Sequence, residues 1–438
     1  MLSNLKILNL LVGILLVSTA WAGEETSGEK EFKPWQFKFG GEERLRYEYK
    51  QDFDFNESKE DNGSQLYHRL RLNVAASLID ENKNSKLDFF VEGLDAQTGG
   101  YQIKASAGQT DDFDLHQIYL NARNILGSDF DIKAGRQELK YGKGRLIAGP
   151  TWSNRIRSFD GGVLRYQKNG LYADIFYGQD VKYDDDKFNQ SRSEEFLTGL
   201  YGGYQKDKTT PLFEPYFLSL IDIKGTNDIT RYTTGARLMA NIFYGIAVDI
   251  EVPYQFGHTG TTTAGTKDIA AYAVHIDVSK NFENTKGKPK LTLAYDEASG
   301  DKDPNDSVNQ TFIPLYQSTH DTYGLLDFFR WQNIRNLEMN LALAPTPKLK
   351  IIPQIDFFWL QSKFDNWYNS SGGTVRAKTS GERGYYVGSE IALRGSYDLN
   401  KYLKWESGYA HFFTGGYVAD SGADDDADWL YSQMVVKF

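Results

Sequence analysis

Ile242-Phe243-Tyr244-Gly245-Ile246-Ala247-Val248-Asp249-Ile250-Glu251-Val252-Pro253-Tyr254-Gln255-Phe256 changes polarity at nearly every step. Its even positions are Ile242, Tyr244, Ile246, Val248, Ile250, Val252, Tyr254 and Phe256, and its odd positions include Gly245, Ala247, Asp249, Glu251 and Gln255. Successive side chains of a β-strand point to opposite faces, so this segment presents one greasy face and one small, polar face.

The same period recurs along the chain. Phe37, Phe39, Leu45, Tyr47 and Tyr49 alternate with Lys38, Glu42, Arg44, Arg46 and Glu48. Leu70, Leu72, Val74 and Leu78 alternate with Arg69, Arg71, Asn73 and Ser77, and Tyr272, Val274, Ile276 and Val278 with Ala273, His275 and Asp277. Leu337 to Leu343, Leu349 to Trp359, and Ile391 with Leu393 repeat it. A soluble β-sandwich also alternates, but its strands are usually about 5–6 residues long. These runs often exceed ten, and a tilted membrane strand needs about 9–11. Charges of both signs sit close together on the polar face, where a wet lumen can solvate and pair them.

The connections give the topology. Short links near 80–86, 124–128, 168–171, 206–212, 241–242, 281–288, 345–348 and 398–401 alternate with longer ones near 50–65, 97–112, 139–158, 180–194, 257–267, 300–334, 362–383 and 415–428. A shorter link near 224–230 falls in the long series, and strands near 159–168, 195–205 and 213–223 are less cleanly patterned. The expectation is an all-β fold: a transmembrane antiparallel β-barrel over residues 36–438, of about eighteen strands, with short periplasmic turns and long extracellular loops.

The start of the chain reads as an export signal. Lys6 is the only charge in the first 23 residues, Ile7 to Val17 is apolar, and Ala20-Trp21-Ala22 supplies small residues where a signal peptidase reads. Residues 1–22 are therefore expected to be removed, leaving 23–35 as a periplasmic lead-in. Loss of Lys6 leaves 48 basic against 59 acidic residues. This acidity argues against a nucleic-acid partner. With no cysteine, thiolate metal sites are excluded. Tyr and Phe number 28 and 27, which suits interfacial girdles where a ring needs one wet end. A final strand ending Val435-Val436-Lys437-Phe438 resembles the signal presented to the barrel-assembly machinery.

No cofactor is expected, and no enzyme. The six histidines, His68, His116, His258, His275, His320 and His411, form no nucleophile elbow or paired-His metal motif. Parity points His275 into the lumen and groups His68, His116 and His411 with apolar neighbours. The basic residues say more. Arg44, Arg46, Arg69, Arg71, Lys133 and Arg136 are assigned to the lumen, together with Arg231, Arg237 and Arg394. Arg145, Arg155 and Arg157 lie in the adjoining loop and Arg165 in the next strand. Rings of Arg and Lys make a pore favour anions, and the planar guanidinium fork suits carboxylates. Lumenal Arg can equally brace a wall by pairing with Glu and Asp, and Glu42, Glu48, Asp88, Glu92, Asp174, Asp249, Glu251 and Glu390 are available. The acidic runs Asp184-Asp185-Asp186, Asp301 to Asp306 and Asp424-Asp425-Asp426 read as solvated loop tips, or as divalent-cation bridges to lipopolysaccharide phosphate.

Gly135-Arg136-Gln137-Glu138-Leu139-Lys140-Tyr141-Gly142-Lys143-Gly144-Arg145-Leu146, followed by Trp152-Ser153-Asn154-Arg155 and Arg157-Ser158-Phe159-Asp160-Gly161, resembles the alginate export family of outer-membrane proteins. Gly41-Glu42-Glu43-Arg44-Leu45-Arg46-Tyr47 and Asp114 to Leu120 also look like it, so the motifs cover about the first 165 residues. The resemblance implies an eighteen-stranded monomeric barrel passing a polyuronate through an Arg-rich constriction. It would place Arg136, Arg145, Arg155 and Arg157 at or near that constriction and Arg44, Arg46, Arg69 and Arg71 on the adjacent wall. Loop 139–158 would fold inward, with Gly142, Gly144 and Gly149 giving it turns. The expected function is passive passage of an anionic saccharide or polysaccharide across the outer membrane, in contact with its lipid and lipopolysaccharide. A general or carbohydrate-uptake porin is the alternative, a barrel enzyme the remote one.

Overall fold

The computed structural model describes residues 34–59, 62–80, 84–101, 109–185, 187–224, 227–261, 265–318, 320, 322–378 and 384–438. The expected signal peptide (1–22), nearly all of the lead-in (23–35) and Asp186 lie outside the described residues.

Eighteen long antiparallel strands build the wall: β1 (Trp35–Gln51), β2 (Gly63–Ile79), β3 (Ser85–Tyr101), β4 (Asp111–Ala122), β5 (Phe130–Gln137), β6 (Phe159–Lys168), β7 (Leu171–Lys182), β8 (Glu195–Tyr204), β9 (Leu212–Lys224), β10 (Asn227–Asn241), β11 (Ile246–Thr261), β12 (Gly265–Asn281), β13 (Lys290–Ala298), β14 (Ile334–Thr346), β15 (Leu349–Trp359), β16 (Tyr386–Asp398), β17 (Leu403–Thr414) and β18 (Ala427–Lys437). Each pairs with the next, and β18 returns to β1 from Glu42↔Lys437 to Gln51↔Asp428. The ring is closed, so no strand edge is left unpaired.

Alternation sets which side chains face out. On β11, Val252, Tyr254 and Phe256 are 48%, 46% and 38% exposed, while Asp249, Glu251 and Gln255 are 7%, 3% and 0% exposed. Polar residues are inside and apolar ones outside, as a lipid surround requires. One boundary differs from the sequence reading. Residues 242–245 form the short turn before β11, with Tyr244 at φ 58°, and the strand begins at Ile246. Asn169-Gly170 is a two-residue turn, both at positive φ, the pairing that suits a hairpin.

The three poorly patterned strands are present as β6, β8 and β9. In β8 the alternation is blurred by glycines that seat rings. A Cβ on Gly199 would lie 2.5 Å from the Phe176 ring, and one on Gly203 would lie 2.2 Å from that of Tyr172. A bulge corrects another reading. The β3–β4 register slips between Glu92↔Gln117 and Gly93↔Leu115, leaving His116 as the extra residue. His116 therefore turns inward, its Nε2 3.1 Å from Glu138, instead of joining apolar neighbours.

The largest apolar core lies within the lumen. Loops 138–158, 299–333 and 360–385 fold inward and supply Leu146, Ile147, Phe312, Tyr323, Trp331 and Trp367, which pack on wall residues such as Phe159, Phe358 and Phe412. Phe329 stacks on Phe358 with ring centroids 3.9 Å apart.

The C-terminus closes the seam on a glycine. Gly41 and Phe438 exchange backbone hydrogen bonds of 2.9 and 3.2 Å. A Cβ on Gly41 would sit 2.5 Å from the Phe438 ring and 2.8 Å from the Arg71 carbonyl oxygen. Overpacking of this kind typically costs about 1–3 kcal/mol. Gly41→Val should therefore lower the folded, heat-modifiable fraction on a gel, whereas Gly99→Val, with open space at its Cβ, should not.

Candidate functional site

Strands β1 and β2 bring the arginines together. Their register sets Arg44 directly opposite Arg69 and Glu42 opposite Arg71. Like charges facing each other destabilise a sheet unless something satisfies them. Loop 138–158 does so with oxygens. Arg44 donates to the Thr151 carbonyl (2.9 Å), the Ser153 carbonyl (3.2 Å) and Asn154 Oδ1 (3.2 Å). Arg69 donates to the same two carbonyls, both at 2.9 Å, and to Glu42 at 2.7 Å. Arg46 donates to the Trp152 carbonyl at 2.6 Å and pairs with Glu48 at 2.7 Å.

The loop is fixed at both ends. Asn154, fully buried, donates from Nδ2 to the carbonyls of His68, Gln97 and Gln109 at 3.0–3.1 Å. At the opposite wall Arg145 pairs with Glu251 on β11 at 3.0 Å and contacts His275 on β12. Burial opposes the Arg145 charge, but the carboxylates of Glu251, Asp296 and Asp249 outweigh it and raise its pKa. Loop 299–333 then pairs along its partner: Ala148 N donates to the Tyr316 carbonyl, and Tyr316 N to that of Leu146, both at 2.7 Å. The two loops form a crossbar from β2 to β12. Gly142 and Gly144 turn it at φ 54° and 80°. Gly149 instead permits close approach, since a Cβ there would lie 2.8 Å from Ile156.

The crossbar stands between two cavities. One, about 590 Å³, opens toward the short turns and is lined by Arg44, Arg69, Lys350, Arg394, Lys401, Lys404 and Lys437 against Glu42, Asp398 and Glu406. The other, about 640 Å³, opens toward the long loops and is lined by Arg46, Lys50, Lys59, Arg157 and Arg376 against Glu48, Asp54 and Asp327. Trp152 and His320 line both. Trp152 is sandwiched, with the Arg46 guanidinium 3.8 Å from its ring and the His320 ring stacked at 3.9 Å. Neither Trp152 nor His320 stood out as a path residue in the sequence. Their meeting requires loops 168 positions apart to touch, which no local pattern signals.

The thirteen basic residues singled out from sequence thus separate, Arg231 being set on the β10 wall against Gln255. Arg44, Arg46, Arg69, Arg157 and Arg394 line the two cavities. Three brace the wall or the crossbar: Arg71 on Glu92 and Glu138 (2.7 and 2.8 Å), Arg237 on Glu214 and Asp249 (2.6 and 2.8 Å), and Arg145. Arg71 also supplies the positive charge within the Glu92–His116–Glu138 cluster. Lys133 and Arg165 line a separate cavity of about 290 Å³, where Arg165 pairs with Asp174. Arg155 packs on loop 183–194 through Asp185 and the Tyr183 ring. Arg136 is misassigned by the sequence reading. It is three residues from inward-facing Lys133, an odd step, and it pairs across the sheet with outward-facing Ile118 and with Asp160. Its guanidinium binds Asp160 at 2.8 and 2.9 Å on the outer face.

Asn154 tests the anchoring. Each of its three buried hydrogen bonds is worth roughly 1 kcal/mol net. Asn154→Ala should leave the barrel folded while making loop 138–158 markedly more sensitive to added protease.

The model of the family described as "Alginate export" matches residues 35–429. No curated protein sequence matches the chain. Among solved structures it is similar to Acinetobacter baumannii OccAB1, at TM-score 0.62 and 12% identity, over 92% of this chain and 97% of that one. It is similar to Pseudomonas aeruginosa OpdK, solved with vanillate, at TM-score 0.61 and 11% identity, over 91% and 99%. It is also similar to Pseudomonas aeruginosa OccK2 (OpdF), solved in complex with glucuronate, at TM-score 0.57 and 12% identity, over 92% and 98%. At these identities the likeness is one of fold.

Proposed function

The chain belongs to the alginate export family and forms a channel of the outer-membrane type, and from that premise we propose that it passes anionic saccharides passively through the arginine- and lysine-lined cavities on either side of the crossbar. The observation that carries this reading is a reversal of charge. The whole chain is −10, yet the cavity at the short-turn end sets seven Lys and Arg against three carboxylates. Low-dielectric walls focus such a field, and a basic lining concentrates anions. The guanidinium fork of Arg394 suits carboxylates in particular, and the buried charges of Arg44 and Arg69 add to the field. The short turns face the periplasm and the long loops the exterior, as in outer-membrane barrels generally.

A second reading, uptake of small anionic solutes, is favoured by size. Cavities near 600 Å³ match drug- or monosaccharide-sized ligands. The vanillate and glucuronate in two of the neighbouring structures are both small carboxylates.

The test is reversal potential in a planar bilayer under a salt gradient, with polyuronate and then glucuronate added to one side. Anion selectivity with block by polyuronate supports polysaccharide passage. Anion selectivity with block by glucuronate alone supports the small-solute reading. Cation selectivity sinks both.

A further inference from the structure

Arg231 and Arg330 stand apart from the other inward arginines. Arg231, on β10, is 2% exposed, and its one side-chain partner is Gln255 Oε1 at 2.8 Å. The same amide docks loop 299–333, accepting from Ile313 N at 3.1 Å and donating to the Ile313 carbonyl at 2.8 Å. Arg330 reaches the next residue of that loop, donating to the Pro314 carbonyl at 3.0 Å. Arg330 therefore touches segment 313–314 directly, and Arg231 is linked to it through the Gln255 amide. Among the described residues neither has a carboxylate within ion-pair distance, whereas Arg46, Arg69, Arg71, Arg145 and Arg237 all do. Arg44, which also lacks one, is satisfied by three loop oxygens.

Orphaned polar atoms accompany this pair on the same loop. Among the described residues Arg330 Nε has no partner, nor does the hydroxyl of Tyr323, which is 1% exposed. Buried donors are nearly always satisfied, and a buried charge without a counter-charge is strongly unfavourable. On Arg330, burial and then Arg157 push the guanidinium down to about 10. The site is therefore rich in donors and short of one negative charge.

We propose that the seam between loop 299–333 and the β10–β11 wall holds a small oxyanion, a carboxylate or a phosphate, bridged by Arg231 and Arg330. The bound anion supplies the missing counter-charge and latches the loop, and with it the crossbar, to the wall. This site lies apart from the cavity-lining Arg44, Arg69 and Arg394 and does not depend on the transport reading.

The experiment is calorimetric titration of inorganic phosphate, and separately acetate, into the folded barrel in detergent at constant ionic strength. The wild type should show a saturable site. R330Q, a loop substitution that leaves the strands untouched, should weaken it by about tenfold or more, the scale of one lost charge-assisted hydrogen bond. R330K should retain most of the affinity, and R231Q should match R330Q, with heat-modifiable migration confirming that each is folded. Saturation by phosphate alone would identify a phosphate site, and saturation by both a general carboxylate or phosphate site. Absence of any saturable site, or a site lost in R44Q but kept in R330Q, would overturn the proposal. Because the readout is binding, a failure here leaves the measured ion selectivity, and the reading built on it, unaffected.

Discussion

Replacing residues 143–154 with two glycines should raise single-channel conductance several-fold while leaving a folded barrel. The crossbar fills the lumen between the β2 wall and the β11–β12 wall, held by Asn154 at one end and Arg145 at the other. The wall does not need it. Every strand is paired with both neighbours by backbone bonds, and closure runs through β1 and β18. Removing the loop strips Arg44 and Arg69 of the Thr151 and Ser153 carbonyls. Directly opposed like charges then cost roughly 0.2–1 kcal/mol, which water entering the widened lumen reduces. The loss also removes Trp152, the partner that holds His320 between the two cavities. Conductance equal to wild type in a heat-modifiable variant would mean that ions already bypass the crossbar, and this account of the lumen would be wrong.

The second large effect is a change of sign. Lys350→Glu, Arg394→Glu and Lys404→Glu together convert the short-turn cavity from seven basic and three acidic side chains to four and six. Among the described residues none of the three bonds to loop 138–158. Lys350 is exposed, Arg394 contacts Gln354 at 3.1 Å, and Lys404 lies beside Glu406. The reversal potential under a salt gradient should move from anion to cation preference. The shift should grow as salt is lowered, because the Debye length lengthens from about 8 Å at 0.15 M to about 30 Å at 0.01 M. Selectivity unchanged by the triple substitution would place the selective step elsewhere, and the long-loop cavity with Arg46, Arg157 and Arg376 would be next.

The alternation of 246–256 is written residue by residue, because a strand between lipid and water must change polarity at every step. The long and short links fall where the alternation lapses, so the count of eighteen strands and their order follow from the same signal. Parity fails where the period is broken. The bulge at His116 adds one residue and turns that side chain inward. Arg136 stands an odd step from Lys133, so one strand parity cannot hold both inside, and the register places it outside with Asp160.

The barrel, its strand order and, bulges apart, the face that each wall residue takes are therefore legible in the chain alone. These depend on a period-two pattern enforced by the surroundings of every strand. Only the tertiary structure decided which arginines line the cavities and which brace the wall. Arg44 meets Thr151 across 107 residues, Arg145 meets Glu251 across 106, and Tyr316 meets Glu195 across 121. Those meetings follow from how three long loops pack inside a ring of fixed width, and a guanidinium takes whichever oxygen that packing brings within about 3 Å.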